Sequence, residues 1–218
     1  MRSTVSRIGV FACAFCFSIT VAQAQKVTVE IDNPWVRTLR VNLAPNEKFT
    51  MQPASVIVYL TDARVWVNRF DVAGANSYKA GETQYVDETG RRFEINLAGK
   101  PIEEVVIELK TGAPKPVSPP ITLDPVKLDP KYHTVDFEND HVRVLRTVLE
   151  PHVKSPMHQH PPYVVVYVTE LHTTMALSDG RLVDNIRRRG EVAWRDAMTH
   201  STENIGNQTA MEIQVELK

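Results

Sequence analysis

The chain has 218 residues, 43% of them hydrophobic and 23% charged, with 25 Lys and Arg against 26 Asp and Glu for a net charge of −1. That balance is ordinary for a soluble globular chain and leaves room for one large domain or two small ones. The absence of a long basic run argues against nucleic acid as a partner.

The first element is a leader. Arg2 and Arg7 precede an apolar stretch from Ile8 to Val21, and Ala22-Gln23-Ala24 supplies small residues around a cleavage point. The pattern predicts a secretory signal peptide over residues 1–24, a mature chain starting at Gln25, and a periplasmic or secreted protein with no membrane span after cleavage. The stretch is shorter than the roughly 20 residues a spanning helix needs and is broken by Ser18 and Thr20. Phe11 and Phe15 stand close before Cys13 and Cys16, which does not suit lipoprotein processing. Both cysteines lie in this leader, so disulfide and thiol chemistry are not expected of the mature chain. Removing Arg2 and Arg7 leaves 23 basic against 26 acidic side chains.

From residue 25 onward the sequence repeats itself. Asp32-Asn33-Pro34-Trp35-Val36-Arg37-Thr38-Leu39-Arg40 recurs as Glu138-Asn139-Asp140-His141-Val142-Arg143-Val144-Leu145-Arg146. Ser55 to Asp62 matches Tyr163 to Glu170, Gly81-Glu82 matches Gly190-Glu191, and Ile107 to Lys110 matches Val215 to Lys218, all in the same order. Each copy is a series of short β-branched and aromatic runs punctuated by Gly, Pro, Asn or Asp, without sustained helical periodicity. Two β-sandwich or jelly-roll units are therefore expected, over 25–110 and 131–218. Between them, 111–130 holds six prolines, at 114, 116, 119, 120, 125 and 130, and reads as an extended linker unable to form a helix or an inner strand.

The copies differ in one respect: all seven histidines, at 133, 141, 152, 158, 160, 172 and 200, fall in the second. In a strand, residues two apart share a face with Cα atoms roughly 6.5–7 Å apart, so His158 and His160 can converge on one ion. His200, late in the copy, is the natural third ligand. At the matching places the first copy reads Gln52, Ala54 and Arg91 or Arg92, so the histidines are not needed for folding.

The order His158-Gln159-His160, then Gly190-Glu191, then His200-Ser201-Thr202-Glu203-Asn204 resembles the two motifs of the cupin superfamily, and both copies together resemble a bicupin. The resemblance implies an all-β chain of two tandem cupin-type barrels from an internal duplication, with a divalent metal held at the mouth of the second by His158, His160 and His200. The sequence departs from the family where a glutamate usually follows the second histidine, because Val164 and Val165 stand there. Glycines usual in the motif are replaced by His152 and Leu171, and Pro-x-Gly before the last histidine is missing, with Asp196-Ala197-Met198 near that place. Three neutral imidazoles still form a facial set accepting Fe, Mn, Ni, Cu or Zn.

Strict alternation would carry Glu170 and His172 to the face of His158 and His160 as a substitute ligand, unless Pro161-Pro162 interrupts the strand; the ordinary reading of His172 is an edge or surface residue. His133, His141 and His152 read as surface or loop residues. Asn204, like Asn96, is expected to satisfy turn backbone, and Tyr163, Tyr167 and the three tryptophans to pack. The functional expectation is a metal-binding bicupin that takes a small-molecule ligand or substrate, as a dioxygenase-like metalloenzyme or as a non-catalytic binding or structural protein, with a homodimer as a candidate assembly. No catalytic residue is assigned.

Overall fold

The computed structural model describes residues 26–68, 73–87, 92–110 and 112–218. The leader expectation therefore lies outside the described residues, as do Cys13 and Cys16. The first half contains β1 (Lys26–Asp32), β2 (Val36–Leu43), β3 (Lys48–Met51), β4 (Ser55–Tyr59), β5 (Ala63–Asn68), β6 (Ala73–Tyr78), β7 (Thr83–Val86), β8 (Arg92–Asn96) and β9 (Ile102–Leu109). After a short helix, α1 (Pro125–Leu128), the second half contains β10 (His133–Glu138), β11 (Val142–Leu149), β12 (His158–His160), β13 (Tyr163–Tyr167), β14 (Leu171–Leu177), β15 (Leu182–Arg187), β16 (Val192–Arg195), β17 (Met198–Asn204) and β18 (Ala210–Leu217).

Each half builds a five-stranded antiparallel sheet facing a four-stranded one, in the same order: β1-β2-β9-β4-β7 over β3-β8-β5-β6, and β10-β11-β18-β13-β16 over β12-β17-β14-β15. The repeat in sequence is thus a repeat in topology, two tandem barrels. Details repeat as well. The Asn33 and Asn139 side chains each accept two backbone N–H groups at 2.9 Å, turning β1 into β2 and β10 into β11. Gly81 and Gly190 sit at φ 88° and 83°, a region costly for side chains bearing Cβ. Asn96 and Asn204 are buried, and each amide donates to two carbonyls, Leu43 and Lys100 in one barrel, Leu149 and Gln208 in the other.

Period-two alternation divides the five-stranded sheets cleanly. In the first, Leu39, Val41, Ile57, Tyr59 and Val106 point into the barrel. Val36, Val56, Val58, Val105 and Ile107 point the other way, where they meet Val142, Val144, Val164, Val166, Ile213 and Val215 of the second barrel in one shared core. The five-stranded sheets thus pack back to back. Trp35 stacks on Trp194 with centroids 5.2 Å apart, and Tyr85 stacks on Phe137 at 4.7 Å. Arg146 donates to the Gly81 carbonyl at 2.7 Å while held by Asp136, and Arg40, paired with Glu30 and Glu103, donates to the Gly190 carbonyl. The near-symmetry follows from duplication: each copy offers the same arginine to the other copy's glycine turn.

The joining segment corrects one expectation. Proline does not keep it free of helix: α1 forms at Pro125, because proline at the first helical position loses no hydrogen bond, and Asp124 caps it by accepting from Val126 N at 2.9 Å. Among the described residues no helix is long and apolar enough to cross a membrane.

Candidate metal centre

β12 is only three residues long, and Pro161-Pro162 follows it at once. Within it His158 and His160 point into the barrel and Gln159 points out, as alternation requires. β12 pairs with β17 so that His158 faces His200. The three rings lie with centroids 4.5 Å (His158 to His200), 4.9 Å (His158 to His160) and 5.3 Å (His160 to His200) apart. One ligand atom from each lies within 4.8 Å of the others, close enough for three bonds of roughly 2.0–2.2 Å to one ion after small ring rotations. The three histidines singled out by spacing thus come together.

The outer nitrogens are spoken for. His158 Nδ1 donates to the Pro156 carbonyl at 2.8 Å, and His160 Nδ1 donates to Glu216 Oε1 at 2.6 Å. The Pro156 carbonyl can only accept, which fixes on His158 a tautomer with a lone pair on Nε2, and the ionised Glu216 carboxylate, held by Arg143, does the same for His160. His200 Nδ1 meets Thr202 Oγ1 at 3.1 Å. The Nε2 atoms of His160 and His200 are buried without a hydrogen-bond partner, which is costly for a polar atom unless something else binds it. Burial pushes the pKa of all three rings down, well below the usual histidine range for His160 and His200, so they stay neutral and able to ligate.

Sequence reasoning missed two residues here. His133, expected at the surface, is only 1% exposed at the start of β10, with its ring 4.9 Å from His158 and its Nδ1 without a hydrogen bond, 3.9 Å from Asp129 Oδ2. Burial, reinforced by His158 and His160, lowers its pKa to about 3. The error arose because β10 pairs with β11 inside the barrel wall, which no local pattern around residue 133 reveals. Glu216, on β18, is 1% exposed and links His160 to Arg143, whose Nε donates to it at 2.7 Å. Burial raises its pKa to about 7 against the opposing pull of Arg143. Glu212, four residues earlier on the same inward face, is likewise pushed to about 7 by burial, opposed by Arg195. The clue in the sequence was the run Glu212, Gln214, Glu216, polar at three successive inward positions of a strand whose other face is apolar.

Glu170 and His172 do not join the cluster. Strand alternation does not run through Pro161-Pro162, because β12 and β13 belong to opposite sheets. Glu170 is exposed beyond β13, and His172 pairs with Asp184 at 2.8 Å on the rim of β14. His141 and His152 are exposed, as expected. Of the two valines at the family's glutamate positions, Val165 faces the barrel interior and Val164 the shared core, so neither position offers a donor. Tyr163 is fully buried against His160, its hydroxyl directed at Met198 Sδ at 3.5 Å.

In the first barrel, Met51 pairs with Arg92 as His158 pairs with His200. Strand pairing therefore places Met51, and not the expected Gln52, opposite the arginine; Arg91 lies outside the described residues. Arg92 is buried and bonded to Asp87.

A cavity of about 10 Å³, roughly the room of one water, adjoins the cluster and is lined by His133, His158, His200, Thr147, Glu212 and Gln214 among others. A second, open cleft reaches His160 from outside between Gln159, Met198 and the joining segment at Pro119 and Ile121.

No protein-family model matches the sequence, and no curated protein matches it. Solved structures do. The cupin 2 conserved barrel domain protein from Leptotrichia buccalis aligns with TM-score 0.58 and 11% identity over 90% of each chain. AerE from Microcystis aeruginosa aligns with TM-score 0.60 and 12% identity over 89% of this chain and 97% of its own. Oxalate decarboxylase from Bacillus subtilis, described with Mn(II) centres, aligns with TM-score 0.57 and 13% identity over 84% of this chain and 68% of its own. At these identities the likeness is one of fold: two tandem barrels of the cupin type.

Proposed function

We propose that the protein is exported and that its second barrel binds a divalent metal ion through Nε2 of His158, His160 and His200, with a small molecule taking the remaining coordination positions. One observation carries this reading. Two of these buried Nε2 atoms have no partner, while the other nitrogen of each ring is held by a group that orients it inward. Such outer contacts are how proteins aim histidines at metals.

A bound ion would supply a Lewis acid or redox centre. The chain's own residues would do the rest. Glu216 holds His160 in its ligating tautomer. His133, Thr147 and Gln214 line the space beside the cluster and offer polar contacts to a water-sized group there. An all-imidazole donor set accepts Fe, Mn, Ni, Cu or Zn, and the fold neighbour with Mn(II) centres makes Mn(II) a natural first candidate.

Metal content of protein purified from its native compartment, read by mass spectrometry, tests the proposal. About one equivalent of a transition metal per chain is expected, and a metal-free protein that also takes up none of the five ions on titration would refute it. Export is read by intact mass: a mature chain beginning at Gln25 supports it, and a full-length chain retained in the cytoplasm does not.

A further inference from the structure

The segment between the barrels touches the histidine cluster twice. Its backbone joins β12 as a short extra edge: Gln159 N donates to the Leu123 carbonyl at 2.8 Å, and Gln159 Oε1 accepts from Thr122 N at 2.8 Å, Thr122 Oγ1 at 3.1 Å and Leu123 N at 3.1 Å. Gln159 is the residue between His158 and His160, so the segment grips the backbone that carries two of the three rings. Its second hold is through side chains. Asp124 Oδ2 accepts from Arg143 Nη1 at 2.7 Å, Arg143 Nε donates to Glu216 Oε2 at 2.7 Å, and Glu216 Oε1 accepts from His160 Nδ1 at 2.6 Å. Four side chains from four places in the sequence thus form one continuous charge-assisted series ending on a ring of the cluster.

The first barrel provides the control. It keeps the equivalent arginine and glutamate, Arg37 and Glu108, but they stand 3.6 Å apart and the Arg37 side chain is 45% exposed, against 14% for Arg143. Among the described residues no carboxylate from the joining segment reaches Arg37, and no histidine stands at the other end. The tightened pair occurs only where a segment carboxylate and a histidine flank it.

We propose that the segment joining the barrels is a strap that sets the geometry of the histidine cluster, with Asp124 as its positioning residue, acting through Arg143 and Glu216 on His160. The strap fixes which way the His160 ring faces and how firmly. The metal-binding arm of its test rests on the metal reading given above; the metal-free arm does not.

The test uses the full mature chain with Asp124→Asn. Asparagine still caps α1 through its side-chain oxygen, so a merely structural capping role is preserved, while the carboxylate that holds Arg143 is gone. Co(II) is the probe, with its visible absorption read during titration. Asp124→Asn is expected to weaken Co(II) binding about 10- to 100-fold and to change the Co(II) spectrum, as loss of an outer contact does, with Asp124→Glu restoring both toward wild type. In metal-free protein, NMR is expected to show the His160 Nδ1 proton exchanging faster with water in Asp124→Asn. Gln159→Leu removes the three side-chain contacts of the strap's other attachment, leaving the backbone bond to Leu123, and should move both readouts the same way, which keeps the proposal open to refutation if Asp124→Asn folds poorly. Unchanged Co(II) affinity, spectrum and His160 proton exchange would overturn the strap. If wild type takes up no Co(II), the metal reading fails while the proton exchange still decides the strap.

Discussion

The two barrels share strand order, Asx turns, glycine turns and buried asparagines, and both bury carboxyl groups, yet only the second adds imidazoles to its interior. At the heart of the first lie two buried carboxylic acids, Glu94 and Glu104, with Tyr59 donating to Glu94 at 3.0 Å. At the heart of the second lie four buried imidazoles, His133, His158, His160 and His200. The difference teaches that the wall of this barrel is made by its apolar outer faces and its turns, which both copies retain, while the inward polar positions are free to change function.

Four experiments would break or sharpen that contrast. The largest effect is expected from His158→Ala with His200→Ala, which should abolish metal uptake and leave the circular dichroism spectrum unchanged, since Met51 and Arg92 occupy the paired places in a barrel that folds without histidines. Residual stoichiometric binding in the double variant would detach the site from these rings. Next, Asn96→Ala and Asn204→Ala should be equally costly, about 1–3 kcal/mol each by thermal or denaturant unfolding, because each strips two carbonyls, one of them buried, of their donor. Unequal costs would show that the copies do not share one mechanical design.

A smaller loss is expected across the shared core. Trp35→Ala removes the stack on Trp194 and should cost about 0.5–1.5 kcal/mol beyond the area it exposes, with the second barrel's unfolding affected as well as the first's.

The smallest effect is in the response to pH, where the barrels should pull in opposite directions. Burial raises the pKa values of Glu94 and Glu104 above the ordinary 4.5, and for Glu104 the neighbouring Glu94 adds to it. The native state therefore holds protons the unfolded chain would release. Their stabilisation is complete below pH 4.5 and is lost as pH rises through the native values. Burial lowers the four histidines below the ordinary 6.5, so their contribution is complete above pH 6.5 and is lost as pH falls. Glu212 and Glu216, raised to about 7, act in the same sense as the first barrel's acids and temper the second barrel's response. Thermal midpoints across pH should show Glu104→Gln flattening the alkaline decline and His133→Gln flattening the acid one; an unchanged slope in either variant would contradict its buried neutral state. The same depression of the imidazoles means that a bound metal should survive acidification to below pH 6.5, where unperturbed histidines would begin to release it.

The sequence by itself determined the duplication, the strand-rich character of both copies and the three clustered histidines. These are legible because period-two alternation, turn residues and short spacings are properties of a few neighbouring positions. His158 and His160 could be assigned to one face from two residues of spacing, and Asn96 and Asn204 to turns from their place at strand ends. Only the tertiary structure decided that His133 enters the cluster, that Glu216 holds His160, and that Glu170 and His172 stay out of it. It also decided that Arg40 and Arg146 cross to the opposite barrel's glycine turns and that Asp124 reaches Arg143. In each case the residues come from elements separated in the chain, and which of them meet depends on sheet order and register. Those are set by the packing of two apolar faces over the whole barrel, which no local stretch of sequence contains.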